Sequence, residues 1–342
     1  MTQTQQPSTT CTLTRETTAL GLMVLLFVAA FFASLTMGQY PVSLHDAFNA
    51  LFHFDENVVE QIIVITSRLP RTIMACFVGA ALGISGVLMQ AVTRNPLASP
   101  SILGINSGAI FLIVLASTLA PHLSTHGLIW VGMAGAALAG GIVYLLGSLG
   151  SGGLTPTRLV LGGAALTALF VSFTQAVLVI NQDGLDRILF WLAGSLAGRD
   201  LDSFLPVMPY IAAGIIASLF IGRHVNILMS GDDIAKGLGQ NTAILKITIA
   251  GLVILLAGSS VSAVGNIAFL GLIVPHIVRL SVTGDHRWLI PLSGLAGAVL
   301  LLVSDIIARQ IIMPEELPIG AMTAILGAPL FVLLARRNFA YG

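Results

Sequence analysis

Three arginines and one aspartate stand where charge is costly. Arg68 and Arg71 flank Leu69-Pro70 at the threshold of a long apolar run, and Asp305 precedes Arg309 by four residues at the end of another. On a helix that spacing puts the last two on one face, where they can pair. Thr66 or Ser67 would cap the helix that Pro70 begins, and two cations at such an N-terminus oppose its dipole. Two readings follow. The guanidiniums snorkel into the interface or ease a span out of lipid, or they dock an acidic partner outside the membrane, with Asp305 orienting Arg309.

Enzyme chemistry has weaker footing. Gly83-Ile-Ser-Gly86 has the form of a nucleophile turn and His276 lies in another apolar run, so a Ser–His pair is formally available. With 36 glycines in the chain, such a tetrapeptide is expected by chance. His122 and His126 are four apart, but they follow Pro121 in a short loop. Cys11 sits in a polar tail and Cys76 in an apolar run, with no Cys/His spacing for a metal or a redox pair. No catalytic or metal-ligating set is expected. The nucleotide-binding pattern G-x-x-x-x-G-K-[ST] is missing: Lys236 follows Ala235 and precedes Gly237, so the chain is expected to hydrolyse no ATP of its own.

The elements that hold these residues are set by composition. Of 342 residues 56% are hydrophobic and only 9% charged, against about 25% charged in a soluble domain. The solvent for most of this surface is therefore lipid. A formal net charge of zero leaves no basic stripe for nucleic acid. At about 20 apolar residues per crossing, spans are predicted near 19–37, 70–92, 101–120, 128–148, 158–180, 204–222, 243–262, 268–282, 288–308 and 318–335. The stretch from Ala19 to Met37 is long for a signal core and reads as a retained first span. Gly79 and Gly83 have the small-xxx-small spacing of close helix contacts.

Ten spans with both termini inside place Arg15, Arg94, Arg158, Arg223, Lys236, Lys246, Arg279, Arg287, Arg336 and Arg337 on the cytoplasmic side. They leave Arg68, Arg71, Arg187, Arg199 and Arg309 outside, as the basic-residue bias requires. The expected organisation is a cytoplasmic tail at 1–18, a ten-span domain at 19–337 and a cytoplasmic tail at 338–342.

One loop, 224–241, is too rich in structure signals for a linker. Ser230 can cap a short helix through Gly231, Asp232, Asp233, Ile234, Ala235 and Lys236, which Gly237 and Gly239 would stop on either side of Leu238. Acids at its start and a lysine near its end suit the dipole. Ile227, Leu228, Met229, Ile234 and Leu238 exceed what a solvated loop needs. Either the helix lies on lipid, or it is a knob that fits a groove on a cytoplasmic partner. Arg94-Asn-Pro-Leu-Ala-Ser-Pro100 is a second irregular stretch, and Pro275 is expected to kink the eighth span.

These marks together resemble the FecCD family, the permeases of type II ABC importers for iron–siderophore complexes, haem and cobalamin. The resemblance rests on Arg68-Leu-Pro-Arg71, Gly79 to Met89, Asn95-Pro-Leu-Ala98, Asn106-Ser-Gly-Ala109, Trp191-Leu-Ala-Gly-Ser195, Ala235-Lys-Gly-Leu-Gly239, Phe269 to His276, Asp285-His-Arg287, Asp305 to Arg309 and Leu317-Pro-Ile-Gly320. It implies an all-α, ten-helix permease of a bacterial cytoplasmic membrane. The implied partners are a second permease chain, identical or paralogous, two cytoplasmic ATPases that use the ATP and Mg, and an extracytoplasmic binding protein. It also implies that Arg68, Arg71 and Arg309 meet acids on the binding protein, and that Ser230 to Gly239 holds the coupling helix. The expected cargo is a ferric siderophore, with cobalamin or haem as alternatives. An ion-coupled secondary transporter and an intramembrane serine protease are remoter readings.

Overall fold

The computed structural model describes residues 9–149, 155–180, 185–282 and 284–339. Of the expected tails, 1–8 and 340–342 lie outside the described residues. All regular structure among the described residues is helical. The chain order is α1 (Thr9–Thr36), α2 (Leu44–Phe52), α3 (Val59–Ile63), α4 (Leu69–Thr93), α5 (Ile105–Leu119), α6 (Thr125–Ser148), α7 (Pro156–Ile180), α8 (Leu185–Ala193), α9 (Leu201–Phe204), α10 (Met208–Met229), α11 (Asp232–Gly237), α12 (Thr242–Val264), α13 (Leu270–Ser281), α14 (His286–Gln310) and α15 (Ile319–Phe339).

Seven stretches are long and apolar enough to cross a bilayer, and α5, α13 and the apolar part of α15 are three shorter ones. The ten expected spans are thus all present, and the chain is an all-helical, multi-pass membrane protein. Their starts carry local caps. Ser124 Oγ accepts from the Gly127 N–H at 3.2 Å before α6, Asn241 Oδ1 from Ile244 at 3.1 Å before α12, and an Asp285 oxygen from Arg287 at 2.9 Å before α14.

α1 begins at Thr9, inside the expected tail 1–18. Two further boundaries differ from expectation. Neither Thr66 nor Ser67 caps a helix. A π-helical turn over Val64–Arg68 joins α3 to α4, so Val59–Thr93 runs as one helical stretch of 35 residues. Pro70 stands in the first turn of α4, directly after the wider turn, where a missing N–H is tolerated. The second is at 224–229, where apolar residues prolong the sixth span as the end of α10 and Leu228 is buried. With α11 included, the expected loop 224–241 is therefore mostly helix.

Packing at the centre is backbone against backbone. A Cβ on Gly79 would lie 2.5 Å from the Gly297 carbonyl oxygen, and one on Gly83 would lie 2.2 Å from that of Ser293. The small-xxx-small face of α4 thus seats on α14, where dispersion replaces the hydrophobic effect that lipid cannot supply. Gly83→Ala should cost about 1–3 kcal/mol by overpacking, because a backbone carbonyl cannot rotate aside. A lowered melting midpoint in detergent would show it, and an unchanged one would count against this contact.

The eighth span, α13, is short, and it is sheltered: Leu270, Gly271, Ile273, Val274, Pro275 and Val278 are buried. Pro275 lies within the helix. It lacks the N–H that would bond the Gly271 carbonyl. That carbonyl instead faces α4, where a Cβ on Gly86 would stand 1.9 Å away.

Candidate functional site

The two ends of α4 organise the two candidate sites. At its start, Arg68, Arg71 and Arg309 are enclosed, with 4%, 8% and 4% of their surface exposed. They are held by partners that lie far off in the chain. Arg71 Nε donates to Asp305 Oδ1 at 2.7 Å, and its Nη1 donates to Glu316 Oε2 at 2.6 Å. Arg309 Nη2 lies 2.7 Å from Asp305 Oδ2. One fully buried carboxylate on α14 therefore serves two guanidiniums, and Glu316, one quarter exposed, adds the second negative charge.

The same arginines close the end of α1. Arg68 Nη1 donates to the carbonyls of Leu35 and Thr36 at 2.8 and 2.7 Å, and its Nη2 donates to that of Tyr40. Arg309 donates to Ser34 O at 3.1 Å, Met37 O at 3.3 Å and Ser34 Oγ at 2.8 Å. The last carbonyls of a helix lack intrahelical partners and form its negative end. The cations that local sequence sets against a helix N-terminus here complement the C-terminus of another helix. This answers the dipole objection, and it leaves Asp305 gripping Arg71 as well as Arg309.

The opposite end of α4 meets α11. Arg94 is its left-handed C-cap, with φ +48°. Arg94 Nη2 donates to Asp232 Oδ1 at 2.6 Å, and Lys246 Nζ on α12 donates to Asp232 Oδ2 at 2.5 Å. Partial burial alone would raise the Asp232 pKa. The Lys246 and Arg94 charges outweigh it and hold the carboxyl below the usual carboxylate range.

Gly231, at φ +118°, precedes α11, so Ser230 closes α10 and does not cap the short helix. Backbone bonds from Gly239 to Lys236 and from Gln240 to Ala235, both 2.9 Å, end α11, with Gly239 at φ +79°. Ala235 is fully buried and anchors the turn, while Ile234 and Leu238 are 56% and 68% exposed. Asp233, Lys236 and Gly237 are also exposed. The result is a small apolar knob fixed to the bundle by one carboxylate between two cations.

The serine of the rival catalytic pair is not presented as a nucleophile. Ser85 is fully buried and its hydroxyl donates to the Leu82 carbonyl at 3.0 Å. His122 is exposed and no group of metal-ligating side chains occurs among the described residues.

A third polar group was not singled out by spacing. Asn106 Nδ2 donates to Asn266 Oδ1 at 2.9 Å, joining the start of α5 to the α12–α13 turn. Asn106 falls within a recognised stretch, but nothing local to Asn266 marks it.

A model of the FecCD transport family matches residues 25–337. The probable siderophore transport system permease protein YfiZ of Bacillus subtilis is 46% identical over 316 residues, 92% of this chain and 95% of that one. The Fe(3+)-citrate import system permease protein YfmD of the same organism is 40% identical over 317 residues, 93% and 94% of the two chains. Among solved structures, an inward-facing metal-chelate type ABC transporter chain matches with a TM-score of 0.82 and 31% identity, covering 94% of this chain and 99% of that one.

Proposed function

This chain belongs to the FecCD transport family and is a permease subunit of an ABC importer, and from that premise we propose that its cargo is a ferric siderophore. The family match over residues 25–337 carries the reading. The relatives named above are a siderophore permease and a ferric citrate permease, which favours a ferric chelate over cobalamin or haem. The permease works in a bacterial cytoplasmic membrane with both termini inside, beside a second permease chain. A binding protein delivers the chelate from outside, and two cytoplasmic ATPases supply the force.

The α11 end is the ATPase side. An exposed apolar knob on a rigid ionic mount can pass a partner's rigid-body motion into α4, α10 and α12. The arginine end is the binding-protein side. Docking there exchanges carboxylates: an incoming acid takes Arg71 from Glu316, the partly exposed member, while Asp305 stays buried. Replacing both Arg68 and Arg71 by Glu does not isolate docking, because an acid at 71 would face Asp305 and Glu316 and one at 68 would face the carbonyls of Leu35, Thr36 and Tyr40.

The test is uptake by vesicles holding the permease pair, the ATPases and the loaded binding protein. ATP-dependent accumulation of a ferric siderophore is the expected result. Uptake that survives ATP depletion and fails with an uncoupler would instead establish an ion-coupled carrier.

A further inference from the structure

Midway along α7 the bundle holds a cavity of about 310 Å³. Its polar lining includes Asn106, Asn266, Thr167 and Gln175, beside apolar Ile110 and Leu192. Its depth follows from packing. A Cβ on Gly163 would stand 1.6 Å from the Ile102 carbonyl oxygen, so the turn before α5 is pressed on the first third of α7. Thr167 lies about 20 Å from the α7 end at Ile180, at about 1.5 Å per residue.

Gln175 is exposed on α7, and its side-chain amide has no hydrogen-bond partner among the described residues. A primary amide facing hydrocarbon is costly, so polar groups at membrane depth face a wet cavity or another protein. Among the described residues the cavity lining contains no charged side chain. It does contain amide N–H groups, and α5 and α13 both begin beside it, Asn106 and Ala268 lining it. Their N-terminal ends add partial positive charge.

We propose that this cavity is a resting subsite on the translocation path, taking an oxygen-rich, neutral or anionic metal chelate through the amides of Gln175 and Asn266 and the hydroxyl of Thr167. This rests on the importer reading. Amide and hydroxyl donors in the lining suit the outer oxygens of a wrapped ion. A bare ferric cation would need carboxylate or phenolate ligands that the lining lacks. Uncharged contacts also hold the cargo weakly enough for it to leave.

The fully assembled transporter tests this with ferric hydroxamate and ferric citrate as probes. Gln175→Leu with Thr167→Val should lower uptake per ATP by about tenfold, as lost hydrogen bonds to the chelate predict, while binding-protein-stimulated hydrolysis is kept. A Gln175→Cys variant, read against the parent chain with its own Cys11 and Cys76, should react with a small hydrophilic maleimide. The chelate that the transporter imports should slow that reaction. An unreactive thiol would show that α7 is sealed by lipid or the second permease, and would overturn the subsite alone. Labelling that neither chelate slows, or unchanged uptake in the double variant, would also overturn it. Wild-type vesicles that import neither chelate would overturn the ferric-chelate reading and the subsite with it.

Discussion

Asp305→Ala should destabilise the permease by about 3–5 kcal/mol, enough to deplete the folded protein, because it strands buried cations without an acid. Asp305 is fully buried and lies 2.7 Å from both Arg71 and Arg309. Its loss leaves Glu316 as the remaining acid beside Arg71 and no carboxylate on Arg309. Removing one partner of a buried pair costs more than the pair contributes, since desolvation of the survivor is no longer offset. Thermal unfolding in detergent and the yield of monodisperse protein measure the effect. A midpoint within a degree of wild type would refute the shared-carboxylate account.

Glu316→Gln is the contrast. Its side chain is 25% exposed, so folding should be preserved. If docking exchanges carboxylates, the freed Arg71 should bind the loaded binding protein more tightly than wild type. Weaker or equal binding would argue that Glu316 does not compete.

Ile234→Asp with Leu238→Asp should reduce uptake at least a hundredfold through lost engagement of the ATPases. Each of these side chains is more than half exposed on α11, so neither change threatens the bundle. Fully burying one such side chain in a partner's groove contributes about 1.5–3 kcal/mol, and 1.4 kcal/mol is tenfold in affinity. Two together exceed a hundredfold, before the cost of burying new charge. Uptake and ATP hydrolysis measured in the same vesicles decide the matter: uptake should fall while basal hydrolysis persists. Coupled transport at the wild-type rate would remove α11 from the mechanism. Ala235 is a poorer choice for this test because it is fully buried, and a charge there would unseat the helix itself.

What the residues alone determined is what depends on neighbours in the chain. Apolar run length gave ten spans, because hydrocarbon demands long uninterrupted helices with their backbone bonds satisfied internally. Gly237, Leu238 and Gly239 ended α11 as their spacing implied, because a left-handed C-terminal turn is a local event. The shared order of motifs gave the family.

Only the tertiary structure decided what the arginines do. Arg71 and Asp305 are 234 residues apart, and Arg309 and Ser34 are 275 apart. No spacing rule reaches that far. Close glycine contacts between α4 and α14 bring those helix ends together, and the C-terminal end of α1 supplies carbonyls that need cations. Asn266 and Gln175 read as ordinary polar residues in sequence. Their meeting around one cavity follows from the packing of α7 against the start of α5 and the α12–α13 turn, which helix contacts and not local propensity decide.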